Sequence, residues 1–123
     1  MYVLDSSALI ELLRDSPAGK RIASKLENIP AITTAFTVNE ILIGAKGATK
    51  KAIEKMLEGI EVLDFDKDAA IKSASIEEEL SGRGSMINKT DIFIAGICII
   101  KNMSIVTLDN HFKRIPGLKT VFA

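Results

Sequence analysis

The sequence predicts an α/β protein, a three-layer α/β/α sandwich around a central, mainly parallel sheet of four to five strands. Three observations carry this. Short apolar segments of strand length alternate with longer segments of helical period along all 123 residues. Strands separated by helices pair in parallel through right-handed crossovers, which leaves helices on both faces of the sheet. A hydrophobic fraction of 47% beside a charged fraction of 26% is that of an ordinary globular chain, with enough apolar surface to cover such a sheet.

The elements follow in order. Met1 to Leu4 is an apolar strand, and Ser7 to Arg14 is a helix whose Leu9, Ile10, Leu12 and Leu13 form one apolar face. Pro17 suits the first position of a second helix that turns Ile22 and Leu26 inward. Pro30 to Thr33 reads as the second strand. Thr37 to Ala45 is a helix ended near Gly47, and Lys50 to Leu57 is another, ended by Gly59. Glu61 to Asp64 is the third strand. Asp66 caps a long helix through Leu80, closed by Gly82-Arg83-Gly84. Asn88 opens a helix that buries Ile92, Ile94, Ala95, Cys98 and Ile99. Ser104 to Thr107 is the fourth strand, followed by a helical turn and a last strand near Lys119 to Phe122. With no repeat, linker or low-complexity stretch, residues 1–123 read as a single domain.

Composition excludes several functions. Sixteen Lys plus Arg balance sixteen Asp plus Glu, so a globally basic nucleic-acid coat is ruled out and any polyanion must be gripped locally. A lone cysteine forms no intramolecular disulfide, and Met1-Tyr2-Val3-Leu4-Asp5 lacks the pattern of a signal peptide, so a cytoplasmic location is expected. The longest apolar run, Ile92 to Ile100, is nine residues, well short of the roughly 18 expected of a membrane span.

In an open parallel sheet the usable crevice lies beyond the carboxyl ends of the strands. Four acids fall there: Asp5 after the first strand, Glu40 in the helix after the second, Asp91 at the start of the apolar helix, and Asp109 after the fourth strand. Each also has a plain structural reading. Asp5 and Asp109 stand at N-cap positions, while Thr37 with Glu40, and Asn88 with Asp91, have the spacing of a capping box. Taken together, four carboxylates at one end of one sheet would repel and take up protons unless a cation neutralised them. A hard divalent ion, Mg²⁺ or Mn²⁺, suits such oxygen donors and would support phosphodiester hydrolysis. Setting four of the sixteen acids in one pocket leaves 12 facing 16 basic residues, an excess of four positive charges over the rest of the molecule.

Other chemistries fare worse. With His111 the single histidine, a catalytic triad, a His-rich zinc site and a paired-histidine mechanism lack their residues, and His111 reads as a surface residue or a substrate contact. Cys98, inside an apolar run, is a small buried hydrophobe. Ser6 and Ser7 have no base beside them and suit hydrogen bonding at the helix start or orienting a metal ligand. Asp64, Asp66 and Asp68 fail as a calcium loop because Ala69 and Ser75 stand where Gly and Glu are required. Gly82-Arg83-Gly84-Ser85 lacks the lysine of a phosphate loop. Arg83 and Lys89, just before Asp91, are candidate backbone contacts or plain surface cations.

These residues, in this order, resemble the PIN domain family, in particular the VapC-type toxins of toxin–antitoxin pairs. Val3-Leu4-Asp5-Ser6-Ser7 is similar to the family's first motif, Thr37 to Glu40 with Gly44 to the second, Asp91-Ile92-Phe93-Ile94-Ala95 to the third, and Val106-Thr107-Leu108-Asp109 with Phe112 to the fourth. The resemblance covers essentially the whole chain. It implies a Mg²⁺- or Mn²⁺-dependent ribonuclease with Asp5, Glu40, Asp91 and Asp109 as acidic, metal-holding residues, supported through hydrogen bonds by Ser6 and Thr107. A further family acid, two positions after the last motif's Asp, is replaced by His111. The resemblance also implies a homodimer and a VapB-like antitoxin lying in a groove around Leu12, Leu13, Ile41 and Leu42. The alternative is a non-catalytic PIN-like domain that binds RNA or protein and uses the acids as caps. A phosphoacceptor or phosphatase use of Asp5 is weaker, since Ser6 and Ser7 stand where a second acid is wanted.

Overall fold

A computed structural model describes residues 1–123. The chain runs β1 (Tyr2–Leu4), α1 (Ser6–Arg14), α2 (Pro17–Lys25), β2 (Ile32–Thr34), α3 (Ala35–Ile43), α4 (Gly47–Leu57), β3 (Glu61–Leu63), α5 (Lys67–Gly82), α6 (Lys89–Ile100), β4 (Ser104–Thr107), a 3₁₀ turn (Asn110–Arg114) and β5 (Thr120–Phe122). All strands pair in parallel, in the order β3-β2-β1-β4-β5. This is the expected three-layer sandwich, with five strands.

The two-residue period of the strands divides the core. Leu4 of β1 and Val106 of β4 pack with Ala8, Leu9, Ile22, Ile41 and Ile53 of α1 to α4 on one face. Their neighbours Val3 and Ile105, with Ile32 of β2, pack with Ile76 and Leu80 of α5 and Ile92, Ile94 and Cys98 of α6 on the other. Because α6 is apolar on nearly every side, it is buried along most of its length, which is why its sequence shows a run instead of a stripe.

Strand order positions the site. The chain winds from β1 outward through β2 to β3, then returns to add β4 on the other side of β1 and β5 beyond it. Helices leave the carboxyl ends of β1 and β4 on opposite faces, which opens a crevice between those two strand ends. Asp5 follows β1 and Thr107 ends β4, so both stand at this crevice.

Several boundaries shift by one to three residues from expectation, and those of α3 and α4 matter most. The helix expected to open at Thr37 opens at Ala35, because Thr34 is its N-cap: the Thr37 N–H donates to Thr34 Oγ1 at 3.3 Å. Thr37 is instead buried, its hydroxyl 3.2 Å from that of Thr34. The same helix ends at Ile43 with Gly44 as its C-cap, and Gly47, at φ +59°, begins α4. A glycine meets either need, a stop or a left-handed start.

Candidate active site

Asp5 anchors the crevice. It is 5% exposed and caps α1, its Oδ1 accepting the Ala8 N–H at 2.9 Å and the Ser7 hydroxyl at 2.7 Å. Its Oδ2 accepts the hydroxyl of Thr107 across from β4. The same two hydroxyls receive backbone donors from the segment after β4: Leu108 N–H to Ser7 Oγ at 3.0 Å and Asp109 N–H to Thr107 Oγ1 at 2.9 Å. The ends of β1 and β4 are thus tied together through Asp5, and no buried side-chain polar atom is left unpaired. The hydroxyl expected from Ser6 is supplied by Ser7. Ser6 has no side-chain hydrogen bond, since successive helix positions point about 100° apart and the second position, not the first, turns toward Asp5.

Asp109 caps the 3₁₀ turn, accepting the His111 N–H at 2.9 Å, and its Oδ1 lies 3.2 Å from His111 Nδ1. Asp91 enters from the first turn of α6, whose cap is Asn88, bonded to the Thr90 N–H at 2.8 Å. One ligand atom from each of Asp91, Asp109 and His111 lies within 4.8 Å of the others. Glu40 projects from the body of α3, more than a turn beyond its cap, so the capping-box reading of Glu40 fails. Asp5 and Asp109 do cap, the first α1 and the second the 3₁₀ turn, and Asp109 still bears electrostatically on Asp5.

The electrostatics join all four acids. Burial pushes the Asp5 carboxyl up, its bonds to Thr107, Ser7 and Ala8 pull it down, and Asp109 pushes it up again, with a net rise. Glu40 is raised by burial and then by Asp5. Asp91 is pushed up to about 6 by burial, then by Asp109, Glu40 and Asp5, against a lowering pull from His111. Carboxylates that raise one another in this way form a site that favours a cation. The donors fit a hard divalent ion: oxygen atoms of several carboxylates, with an imidazole that Mn²⁺ tolerates better than Mg²⁺.

The ion-free protein should therefore grow less stable as pH rises from about 4 to beyond 6. In the folded state Asp91 holds its proton up to about 6, against an ordinary value of 3.8. Between those values the folded chain binds more protons than the unfolded one, so stability falls with rising pH. Asp5 and Glu40 are shifted the same way and reinforce the trend. Thermal melts in EDTA across this range check it; a melting temperature that climbs through pH 6 would contradict it.

The other candidates stand elsewhere. Arg83 pairs with Glu79 at 2.5 Å, and Lys89 with Glu77 at 3.5 Å, so acids of α5 engage both cations. Cys98 is fully buried, its thiol pushed up to about 12 by burial and then by Asp5, which makes it an inert core residue. A groove of about 520 Å³ runs along α1, α3 and α4, with Leu13, Ile41 and Ile53 in its wall and Glu40 at one side. Leu12 and Leu42, expected in that wall, pack against the core cluster beneath. Of the two serines read as hydrogen-bonding the helix start or a metal ligand, Ser7 does so, and sequence reasoning missed the approach of His111 to Asp91. The spacing of His111 two residues after Asp109 was the available signal for that approach.

The PIN domain family model matches residues 2–118. A tRNA(fMet)-specific endonuclease VapC of Shigella flexneri is 29% identical, over 97% of this chain and 95% of its own. One of the same name from Salmonella typhimurium is 27% identical, over 96% and 94%. Among solved structures, DNA-bound VapBC from Salmonella typhimurium superposes with a TM-score of 0.82 at 28% identity, covering 98% of this chain and 96% of the other.

Proposed function

The chain belongs to the PIN domain family, and from that premise we propose that it is a divalent-metal-dependent endoribonuclease, the VapC-type toxin of a toxin–antitoxin pair, working in the cytoplasm as one nuclease domain over residues 1–123. The observation that carries the reading is the convergence of Asp5, Glu40, Asp91 and Asp109 at the crevice between β1 and β4, each of the first three raised by burial and by its neighbours. Asp91 and Asp109 would hold Mg²⁺ or Mn²⁺ directly, with Asp5 beside them and His111 within reach. When bound, such an ion supplies Lewis-acid stabilisation of charge on a phosphoryl oxygen and a lowered water pKa.

The chain's own residues do the rest. Thr107 and Ser7 fix both oxygens of Asp5, so its carboxylate cannot rotate away from the site. Hydrolysis adds water across one P–O bond of RNA: the water oxygen joins phosphorus, its proton passes to a carboxylate oxygen of Glu40, and the departing ribose oxygen takes a proton from solvent water, to which Glu40 later returns its own. Glu40 suits that role because it is exposed at the mouth and its raised pKa brings it closer to neutrality. With Nδ1–H held at the Asp109 carboxylate, the neutral ring of His111 presents Nε2 as its lone-pair nitrogen, a position suited to a metal ion.

The groove beside Glu40 suits the apolar side of an antitoxin segment, and an occupant there would reach the acids through Glu40. A VapB-like antitoxin, and assembly as a homodimer, complete the reading, in line with the VapBC complex that the fold matches. Its test is Mn²⁺ binding by calorimetry together with cleavage of RNA by the purified chain, tRNA(fMet) first because relatives bear that specificity in their names. Ion binding with cleavage supports the enzyme. A chain that binds no Mn²⁺ and cuts no RNA would leave the acids as caps and the domain as a non-catalytic binder.

A further inference from the structure

We infer that the β5 edge of the sheet is a track for the phosphate backbone of the RNA strand as it leaves the carboxylate crevice, held by Lys20, Arg21 and Lys25 of α2 and by Lys113. The inference rests on the nuclease reading for its direction and on the surface itself for its place. A groove of about 510 Å³ between α2 and the end of β5 is lined by these three α2 cations together with Phe122 and Ala123, with no acidic side chain. All three cations are exposed and none lies within ion-pair distance of a carboxylate. On the other side of the same strand end, Lys113 Nζ sits 4.5 Å from the centre of the Phe122 ring, which holds its ammonium in place.

Position connects this surface to the chemistry. Phe122 lies in register beside Thr107, and the Ala123 N–H donates to the Thr107 carbonyl at 3.3 Å. Thr107 is the residue that holds Asp5, so the end of β5 that carries Phe122 lies about one strand spacing, ~4.8 Å, from the strand end at the crevice. Every other concavity of the molecule has the wrong charge for a polyanion. The groove of α1, α3 and α4 has Glu40 against Arg14, the one beside β3 has Glu61, Asp64 and Asp66 against Lys101, and the one on α5 has Glu77 and Glu78 with no cation. Among the concavities, a strand whose reacting phosphate sits at the four acids therefore finds a purely cationic lining only at β5.

Backbone contacts of this kind are read from salt dependence. Binding of a fluorescein-labelled oligouridylate in EDTA is measured by anisotropy over a range of salt, for wild type, for Lys20→Gln/Arg21→Gln/Lys25→Gln, and for Lys113→Gln. Each lost contact should make the slope of log K against log salt shallower by about 0.7, hence by about 2 for the triple variant. In Mn²⁺, KM for RNA should rise while kcat holds, a split that a folding defect would not produce. A wild-type slope and KM in both variants would overturn the track, as would an unchanged slope with altered sedimentation, which would assign the face to a second copy. Failure of the nuclease reading looks different: wild type would cut no RNA, whatever the slopes.

Discussion

Asp91→Asn is expected to abolish RNA cleavage while leaving the ion-free protein at least as stable as wild type. The substitution keeps the shape of the side chain and removes a charge that comes within 4.8 Å of both Asp109 and His111. A loss on the order of a thousandfold or more, about 4 kcal/mol in the barrier, follows if Asp91 is a direct ligand of the ion. Stability should move the other way. At neutral pH the folded state holds Asp91 ionised against burial and against three other carboxylates, and the amide is free of that cost. The added stabilisation that wild type gains from Mn²⁺, through preferential binding to the folded state, should shrink or vanish in the variant. Cleavage rates with melting curves, each with Mn²⁺ and with EDTA, check all three outcomes. A variant that cuts RNA within a few-fold of wild type would remove Asp91 from the site.

The pattern of that site was legible in the chain to a definite depth. The apolar strands before Asp5 and before Asp109 announce themselves by length and composition, and the rule that crevices open at carboxyl strand ends then places both acids. Asp91 follows from its place just inside the start of an apolar helix. What the sequence left ambiguous were choices between chemically equal neighbours. Thr34 and Thr37 are both able caps, and which one caps is decided by where β2 ends. Ser6 and Ser7 carry the same hydroxyl, and helical rotation selects Ser7. Glu40 matched a capping box by spacing alone, and the shift of the helix start by two residues removed that reading and left its carboxylate available. The approach of His111 to Asp91 depends on the packing of α6 against β4, which no local pattern encodes.

The same dependence on distant packing governs Gly96→Ala, where a loss of stability is expected in place of the gain that helix propensity alone predicts. Gly96 lies within α6, and alanine in a helix interior is favoured over glycine by about 1 kcal/mol. Against this, a Cβ at Gly96 would stand 2.1 Å from Ser73 Oγ and 2.8 Å from the Ala69 carbonyl oxygen, both on α5. Overpacking of a core costs typically about 1–3 kcal/mol, occasionally more. Here one of the obstructing atoms is backbone, so the upper end applies and the net loss should be about 2 kcal/mol, or roughly 8 °C in melting temperature. The helices must part, and α6 carries Asp91 at its first turn, while Ser73 donates to the Ile92 carbonyl at 3.3 Å one residue further on. Activity should therefore fall more than stability at a temperature where the variant is still folded. Adding Ser73→Gly removes the nearer obstruction and leaves the Ala69 carbonyl, so the double variant should recover part of the lost stability relative to the sum of the single effects. Additive losses in that cycle would mean that α5 and α6 accommodate the methyl independently of Ser73, and that their close approach does not set the position of Asp91.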